Sequence, residues 1–316
     1  MGQSSQLVSV VIPVYNAASF IREALASVSS QTFRNYQLIC VDDGSTDSSL
    51  EILSQASSEF RFPVRILQQD RGGPSMARNL GARHAAGRYL AFLDADDIWY
   101  PRKLEQQVLA LESDPSAVLA HCNFDEIDEV GRLLCQASAA AMCKPSKKDL
   151  WAQLLGPQAW ILPSTMMVCR AAYEHIRGFD PTLLFDEDAD FCLRLRSLGE
   201  FVFLEEVGMA KRIHARSMTR NGEPADRQFA AGEQFLLKLM TRYANDREKL
   251  MLVHCLLASK YSDWGWHKIR TGGNRLKGLR LLSRSLLYDP IRFRTYSRLV
   301  RSLLPTRVLK GVAKRD

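Results

Sequence analysis

The chain is 316 residues long, 46% hydrophobic and 24% charged, which excludes a disordered or fibrous protein and accommodates one large domain with a smaller appendage. Its formal net charge of +7 is lopsided: residues 265–316 hold 14 Lys and Arg against 2 acids, so an acidic body carries a basic tail. Seven scattered cysteines, none in a C-x-x-C pair, exclude a disulfide framework and a thiolate zinc site and point to a reducing, cytoplasmic setting.

The run Val8 to Ile12 is β-branched and nearly continuous, the pattern of a strand buried on both faces. The wider run, Leu7 to Val14, contains Pro13 and is too short to cross a bilayer. No later run reaches the ~18 apolar residues a span needs, so neither a signal peptide nor a transmembrane helix is expected. Ile21, Leu25 and Val28 then mark one helix face. Tyr36 to Val41 reads as a second strand, and a Ser/Asp cap region precedes a helix with Leu50 and Leu53. Val64 to Leu67 reads as a third strand. A Gly72-Gly73-Pro74 break leads into a helix from about Ser75, and Tyr89 to Leu93 reads as a fourth strand. Pro101 fits the first turn of a helix carrying Leu104, Val108 and Leu111.

This alternation predicts an α/β fold whose sheet is mostly parallel and flanked by helices. From about Ala117 it degrades. Ala117 to Cys122 and Met166 to Cys169 are candidate strands, and Asp186 to Gly199 reads as a loop entering a helix with Gly199 as its C-cap. After about Asn221 the signal is helical. The expected division is a domain of residues 1–220 and a basic helical region of residues 221–316.

Two acidic clusters directly follow strands: Asp42-Asp43-Gly44-Ser45-Thr46-Asp47 and Asp94-Ala95-Asp96-Asp97. Open parallel sheets bind ligands at the carboxyl ends of their strands. One such cluster commonly does no more than cap a helix; two at matching sheet positions indicate a site. Crowded carboxylates need a cation or a proton to coexist. Asp94 and Asp96 can face one ion, and hard oxygen ligands suit Mg²⁺ or Mn²⁺, which can bridge substrate phosphates. A third cluster, Asp186-Glu187-Asp188-Ala189-Asp190, precedes a helix. Acids there complement the helix dipole, and Asp190 can pair with Arg194 at i,i+4. A general base is the functional alternative, and spacing does not choose among the four acids. His214 has no second histidine at i+3 or i+4, so no zinc motif is present.

In this order, the segments Val11-Ile12-Pro13-Val14-Tyr15-Asn16, Gln31-Thr32, Val41-Asp42-Asp43-Gly44-Ser45-Thr46-Asp47, Ala77-Arg78-Asn79-Leu80-Gly81, Phe92-Leu93-Asp94-Ala95-Asp96-Asp97, Trp99-Tyr100-Pro101, Gly178-Phe179-Asp180, Glu187-Asp188 and His214-Ala215-Arg216-Ser217 resemble glycosyltransferase family 2. The likeness runs from about Val8 to about Thr219. It implies the GT-A fold, a Rossmann-like sheet, and an inverting transfer of a sugar from a nucleotide-diphosphate sugar to an acceptor hydroxyl. It further implies that Pro13 and Tyr15 line the nucleotide pocket and that Asp42 accepts from the base, usually uracil. Arg78 and Asn79 would lie near the donor. Asp94 would face the ribose or sugar and Asp96 would hold Mn²⁺ or Mg²⁺, with His214 near the metal or diphosphate. Asp188 would be the catalytic base, with Glu187 close to the acceptor. Residues 129–158 carry no family motif, which leaves the acceptor unread. Glycans, lipid-linked sugars and other hydroxyl acceptors all occur in the family, and a cell-envelope polysaccharide or glycolipid is the expectation by analogy.

In the tail, Arg270, Arg275, Lys277, Arg280, Arg284, Arg292, Arg294, Arg298, Arg301 and Arg307 interleave with Leu276, Leu279, Leu281, Leu282, Leu286, Leu287, Leu299, Leu303 and Leu304, after Trp264 and Trp266. Such a pattern suits peripheral binding to an anionic membrane, here the inner face of the cytoplasmic membrane, or a helical cap with solvated arginines. No nucleic-acid motif accompanies the charge. The rival readings are a metal-dependent phosphatase using Asp94 and Asp96, which leaves Asp42, Asp188 and His214 unexplained, and a non-catalytic sugar-nucleotide-binding or membrane-scaffold module.

Overall fold

The computed structural model describes residues 7–59, 64–138, 154–155, 161–215, 224–271 and 274–302. Cys143, Arg216, Ser217, Thr219, Leu303, Leu304 and Arg307, together with most of the motif-free stretch before residue 158, lie outside them. The chain divides into two compact units: Met1–Thr182 with Glu187–Asn221, and Leu183–Asp186 with Gly222–Asp316.

The first unit is founded on β1 (Val8–Val14), β2 (Tyr36–Asp42), β3 (Val64–Gln68) and β4 (Tyr89–Phe92), all parallel and ordered β3-β2-β1-β4. Every residue of β1 and β4 is buried, as continuous apolar runs in a central parallel strand require. Three helices connect these strands: α1 (Ile21–Ser29), α2 (Ser49–Glu59) and α3 (Pro74–Arg83). Ile21, Leu25 and Val28 form the buried stripe of α1 that the spacing predicts. Gly73 takes φ +87 ahead of Pro74, so the break turns the chain sharply into α3. Ala77 of α3 packs on Ile39 and Val41. Gly81 permits close approach to β1, since a Cβ there would strike the Val11 side chain.

Past β4 the sheet becomes mixed. The remaining elements are β5 (Ile98–Trp99), α4 (Lys103–Ser113), β6 (Ala117–Ile127), β7 (Leu133–Cys135), β8 (Met166–Cys169), α5 (Arg170–His175), α6 (Glu187–Leu195) and β9 (Glu200–Arg212). The strand order continues β4-β8-β6-β9-β5, with β7 on β6. β8 is antiparallel to both β4 and β6, and β9 runs parallel to β6. The 13-residue β9 gave no strand signal in the sequence, because Glu205, Glu206 and Gly208 interrupt its apolar pattern. Gly199 is not the C-cap of α6, which ends at Leu195. It lies one residue before β9, where a Cβ would stand 2.5 Å from the Ser116 carbonyl, so its smallness serves the approach to β6.

The second unit contains α7 (Ala225–Arg242), α8 (Arg247–Arg270), α9 (Arg275–Tyr288) and α10 (Phe293–Arg301). Asp246 and Asn274 cap α8 and α9 by accepting the Lys249 and Lys277 N–H groups at 3.1 and 2.9 Å. Trp264 and Trp266 are core residues here, the latter clustered with Ile269 and Leu282. The tail leucines divide: Leu281 and Leu282 are buried, Leu276 and Leu287 exposed. No helix among the described residues is long and apolar enough to cross a membrane.

Candidate active site

β1 lies between β2 and β4, with Val14 in register with Asp42 and the Val11 carbonyl accepting the Leu93 N–H at 3.0 Å. Asp42 and Asp94 therefore flank the carboxyl end of β1, from which Tyr15 follows. Asp42 is 4% exposed; its Oδ2 accepts the Ser45 N–H at 3.3 Å, while its Oδ1 is buried without a hydrogen-bond partner. Such an acceptor is costly unless a ligand donor completes it. Tyr15 is 40% exposed, and the Arg71 guanidinium lies 3.5 Å from its ring centroid. Pro13 is buried within β1, opposite Val41.

The neighbouring acid, Asp43, has a different task. Its Oδ1 accepts from Gln69 Nε2 and the Gly72 N–H, both at 2.7 Å, and its Oδ2 from the Gly73 N–H at 2.8 Å. It thereby ties the end of β2 to the turn that launches α3. One turn into α3 comes Arg78, 3% exposed. Its Nη2 meets Asp94 Oδ1 at 2.6 Å and its Nη1 meets Glu187 Oε1 at 3.4 Å, while the guanidinium carbon stands 5.2 Å from the Phe179 ring centroid. One buried cation thus joins α3, the loop after β4 and the start of α6. The flanking carboxylates hold its pKa above the ordinary arginine value despite burial. Burial raises the Glu187 pKa, and Arg78 opposes that rise.

Asn79 faces the other way. Its amide donates to the Phe179 carbonyl at 2.8 Å and accepts from the Phe179 N–H and the Tyr173 hydroxyl at 2.9 and 2.6 Å. It clamps the Gly178-Phe179 turn that seats the ring beneath Arg78, so the structure commits its side chain to holding that turn.

Across the loop, Asp96 Oδ2 stands 2.9 Å from His214 Nε2, and the His214 ring lies 4.6 Å from that of Phe20. Two residues before His214, at the end of β9, Arg212 is 2% exposed. It donates to the Asp96 carbonyl at 3.0 Å, to Glu23 Oε2 at 2.6 Å and to the Glu129 carbonyl at 2.9 Å. Asp97 is buried and accepts the Arg212 N–H at 3.0 Å; burial, then Asp96 and Asp94, push its pKa well above the carboxylate range. Arg78 thus relieves part of the crowding after β4, and the surroundings of Asp97 favour its neutral form. Sequence reasoning missed Arg212 as an organising residue, because only the strand it ends reveals its burial.

Asp96 and His214 present one carboxylate oxygen and one imidazole nitrogen to each other. Among the described residues, no three His, Cys, Asp or Glu side chains gather into a cage made by protein alone. Two protein donors fit a divalent ion that takes its remaining ligands from water and phosphate oxygens.

The third acidic cluster separates by partner. Asp190 is fully buried and pairs with Arg194 at 2.8 Å, which in turn donates to the Ile176 and Gly178 carbonyls. Glu187 is held by Arg78. Asp186, at φ +62, belongs to the helical unit, where burial raises its pKa and Lys260 opposes the rise. Asp188, in the first turn of α6, is half-buried, and its Oδ1 accepts the Ala189 N–H at 2.7 Å.

The family model for glycosyl transferase family 2 matches residues 9–177. An uncharacterized glycosyltransferase of Haemophilus influenzae is 35% identical over 217 residues, covering 68% of this chain and 82% of that one. One from Rickettsia prowazekii is 31% identical over 218 residues, and the match spans 68% of this chain and 66% of the relative's own length. Among solved structures, S. aureus TarS 1-349 in complex with UDP matches with a TM-score of 0.67 at 16% identity, covering 98% of this chain and 91% of that one. The mannosyltransferase PcManGT from Pyrobaculum calidifontis, in complex with GDP-Man and Mn²⁺, matches with a TM-score of 0.57 at 17% identity, covering 96% and 87%. At such identities these likenesses show the fold, GT-A.

Proposed function

Because this chain belongs to glycosyltransferase family 2, we propose that it transfers a sugar from a nucleotide-diphosphate sugar, a UDP-sugar, to an acceptor hydroxyl with inversion at the anomeric carbon. The observation that carries the donor reading is Asp42: a buried carboxylate oxygen without a partner, near the exposed aromatic face of Tyr15, suits a nucleobase N–H donor. The UDP bound by TarS and the GDP-Man and Mn²⁺ bound by PcManGT agree with that class of donor. Pro13 and Tyr15 border the base, Arg78 and Asn79 shape the floor, and Asp94 faces the ribose or sugar. Asp96 and His214 would hold Mn²⁺ or Mg²⁺, which when bound neutralises charge developing on the diphosphate.

Asp188 takes the proton of the acceptor hydroxyl as its oxygen attacks the anomeric carbon, and the bond from that carbon to the diphosphate breaks. Glu187, fixed by Arg78, orients the acceptor. Residues 1–220 form the catalytic domain and 221–316 a basic region that meets an anionic membrane surface. The acceptor is a cell-envelope polysaccharide or glycolipid intermediate, and the enzyme works in the cytoplasm at the inner membrane face.

The test is a thermal-shift screen of nucleoside diphosphates with and without Mn²⁺ or Mg²⁺, since a ligand that binds only the native state raises its melting temperature. A metal-dependent rise with UDP, lost in Asp96→Ala, is expected. No rise with any nucleotide at millimolar concentration, or phosphate release from simple esters, would overturn the reading.

A further inference from the structure

α10 is an amphipathic helix packed the wrong way round for a soluble protein. Its inward face is largely polar: Thr295, Arg298 and, just past its end, Ser302 are 0%, 8% and 1% exposed. Leu299 packs inward on the cluster of Trp266, Ile269 and Leu282, but the other three apolar residues point outward, with Phe293 83%, Tyr296 46% and Val300 68% exposed, at the i, i+3, i+7 spacing of one stripe. The turn before it adds Ile291 at 89%, and the end of α9 adds Leu287 at 80%. Single exposed apolar residues need no explanation, but a helical stripe continued into its leading turn does.

The orientation is enforced from inside. Arg298 Nη1 donates to Ser262 Oγ at 2.8 Å and meets Asp263 Oδ1 at 2.6 Å. The Thr295 hydroxyl bonds to Ser262 and Ser285 at 3.1 and 3.0 Å, and Ser285 donates to the Ala258 carbonyl at 2.7 Å. Rolling α10 to hide Phe293 and Tyr296 would strip Asp263 and Ser262 of these partners and carry Arg298 into solvent. Ser262, Ser285 and Thr295 are all fully buried, so their hydroxyls would be left without partners, a cost that sets against exposure of the rings. The fold therefore holds the apolar stripe outward.

Charge identifies the occupant. Arg294 and Arg301 lie about 100° around α10 from Phe293 and Val300, so a basic row runs beside the apolar one. Residues 265–316 as a whole carry 14 basic against 2 acidic residues. An apolar stripe edged by arginines matches the boundary between acyl chains and anionic headgroups, whereas a second copy of this chain would bring the same arginines against themselves. We propose that α10 and its leading turn form a preformed wedge that inserts into an anionic phospholipid bilayer, with Ile291 and Phe293 at its tip. This rests on the membrane-facing reading of the helical region and not on the catalytic reading.

The experiment is vesicle co-sedimentation of the full chain with phosphatidylcholine vesicles and with vesicles containing 30–40% phosphatidylglycerol, at about 0.1 M and about 0.5 M salt. Wild type should bind the anionic vesicles and keep part of that binding at high salt. Ile291→Ser with Phe293→Ser should weaken partitioning at least about tenfold, because both side chains are solvated in the free protein and would enter hydrocarbon on binding. The melting temperature and the nucleotide-induced shift of this variant should match wild type. If wild type binds but the double variant binds equally well, the wedge is wrong and simple electrostatic adsorption stands. If wild type ignores anionic vesicles, the membrane-facing reading falls with it, while the nucleotide shift tests the catalytic reading separately. Concentration-dependent dimerisation that the double variant abolishes, without vesicle binding by wild type, would assign the stripe to a second copy instead.

Discussion

Arg78→Met isolates the interaction on which the candidate site is organised. Methionine preserves most of the buried stem but removes a cation that meets Asp94 at 2.6 Å and Glu187 at 3.4 Å. Removing one partner of a buried ion pair costs about 3–5 kcal/mol, because the other charge remains buried. Asp94 keeps 30% side-chain exposure and can turn to water, while Glu187 keeps 16%. The lower end, about 3 kcal/mol, is therefore expected. Urea denaturation at pH 7 measures it. The companion Arg78→Met/Glu187→Gln should recover roughly 1–2 kcal/mol, since it neutralises the stranded charge. The pH dependence has a definite sign. Burial already raises the Glu187 pKa and Arg78 lowers it, so the variant's native state holds that proton more tightly still. Its stability is then highest below the ordinary glutamate pKa and falls as pH rises through the native value, so the deficit against wild type grows with pH. A loss below about 1 kcal/mol, or a deficit independent of pH, would refute the ion-pair reasoning.

Asp188→Asn should abolish sugar transfer yet leave the nucleotide-induced thermal shift intact; full activity would remove Asp188 as the base. Lys103 is 1% exposed with Nζ on Gln107 at 2.7 Å, and burial pushes its pKa down to about 8. Between pH 8 and 10.5 the unfolded chain then binds more protons than the native one, so this residue makes stability rise with pH by up to roughly 3 kcal/mol. Lys103→Met should lack that rise in urea titrations, and parallel profiles for the two proteins would count against it. Gly178 has φ +70, and a Cβ there would meet the Asn79 Oδ1 and the Tyr173 hydroxyl. Gly178→Ala should cost roughly 2–4 kcal/mol in the same assay, from strain plus a disrupted Asn79 clamp, and a neutral result would mean the turn yields freely.

The parallel half of the sheet was legible because its strands are buried on both faces. β1, β2 and β4 appear as nearly continuous apolar runs, interrupted by Ser9 and Gln37, and the acids after them fall where chain direction places them. The mixed half was legible only in part. β8 coincides with the candidate run Met166 to Cys169, and β6 carries the candidate run from Ala117 past Cys122 to Ile127. β9 carries Glu205, Glu206 and Gly208 in mid-strand, where register shifts against β6 absorb the irregularity. Its identity as a strand is dictated by its neighbour rather than by its own pattern.

The acids reveal the same division at the level of chemistry. Locating carboxylates needs only strand ends, but assigning work to them needs the cations and N–H groups that reach them from far along the chain. Asp42 and Asp43 are adjacent, yet Asp43 spends both oxygens on the turn before α3 while Asp42 keeps one buried oxygen unpartnered. Asp190 pairs through Oδ2 with Arg194, and Glu187 meets an arginine 109 residues away. Asp188 lies between these two in sequence, and its Oδ1 accepts the Ala189 N–H at 2.7 Å within the helix start. A base that must accept a proton from an incoming hydroxyl is disabled by a tight cation and served by a helix N-terminus that steadies its carboxylate. Asp188 stands at such a helix start, and its proposed role as the base is what the Asp188→Asn variant tests.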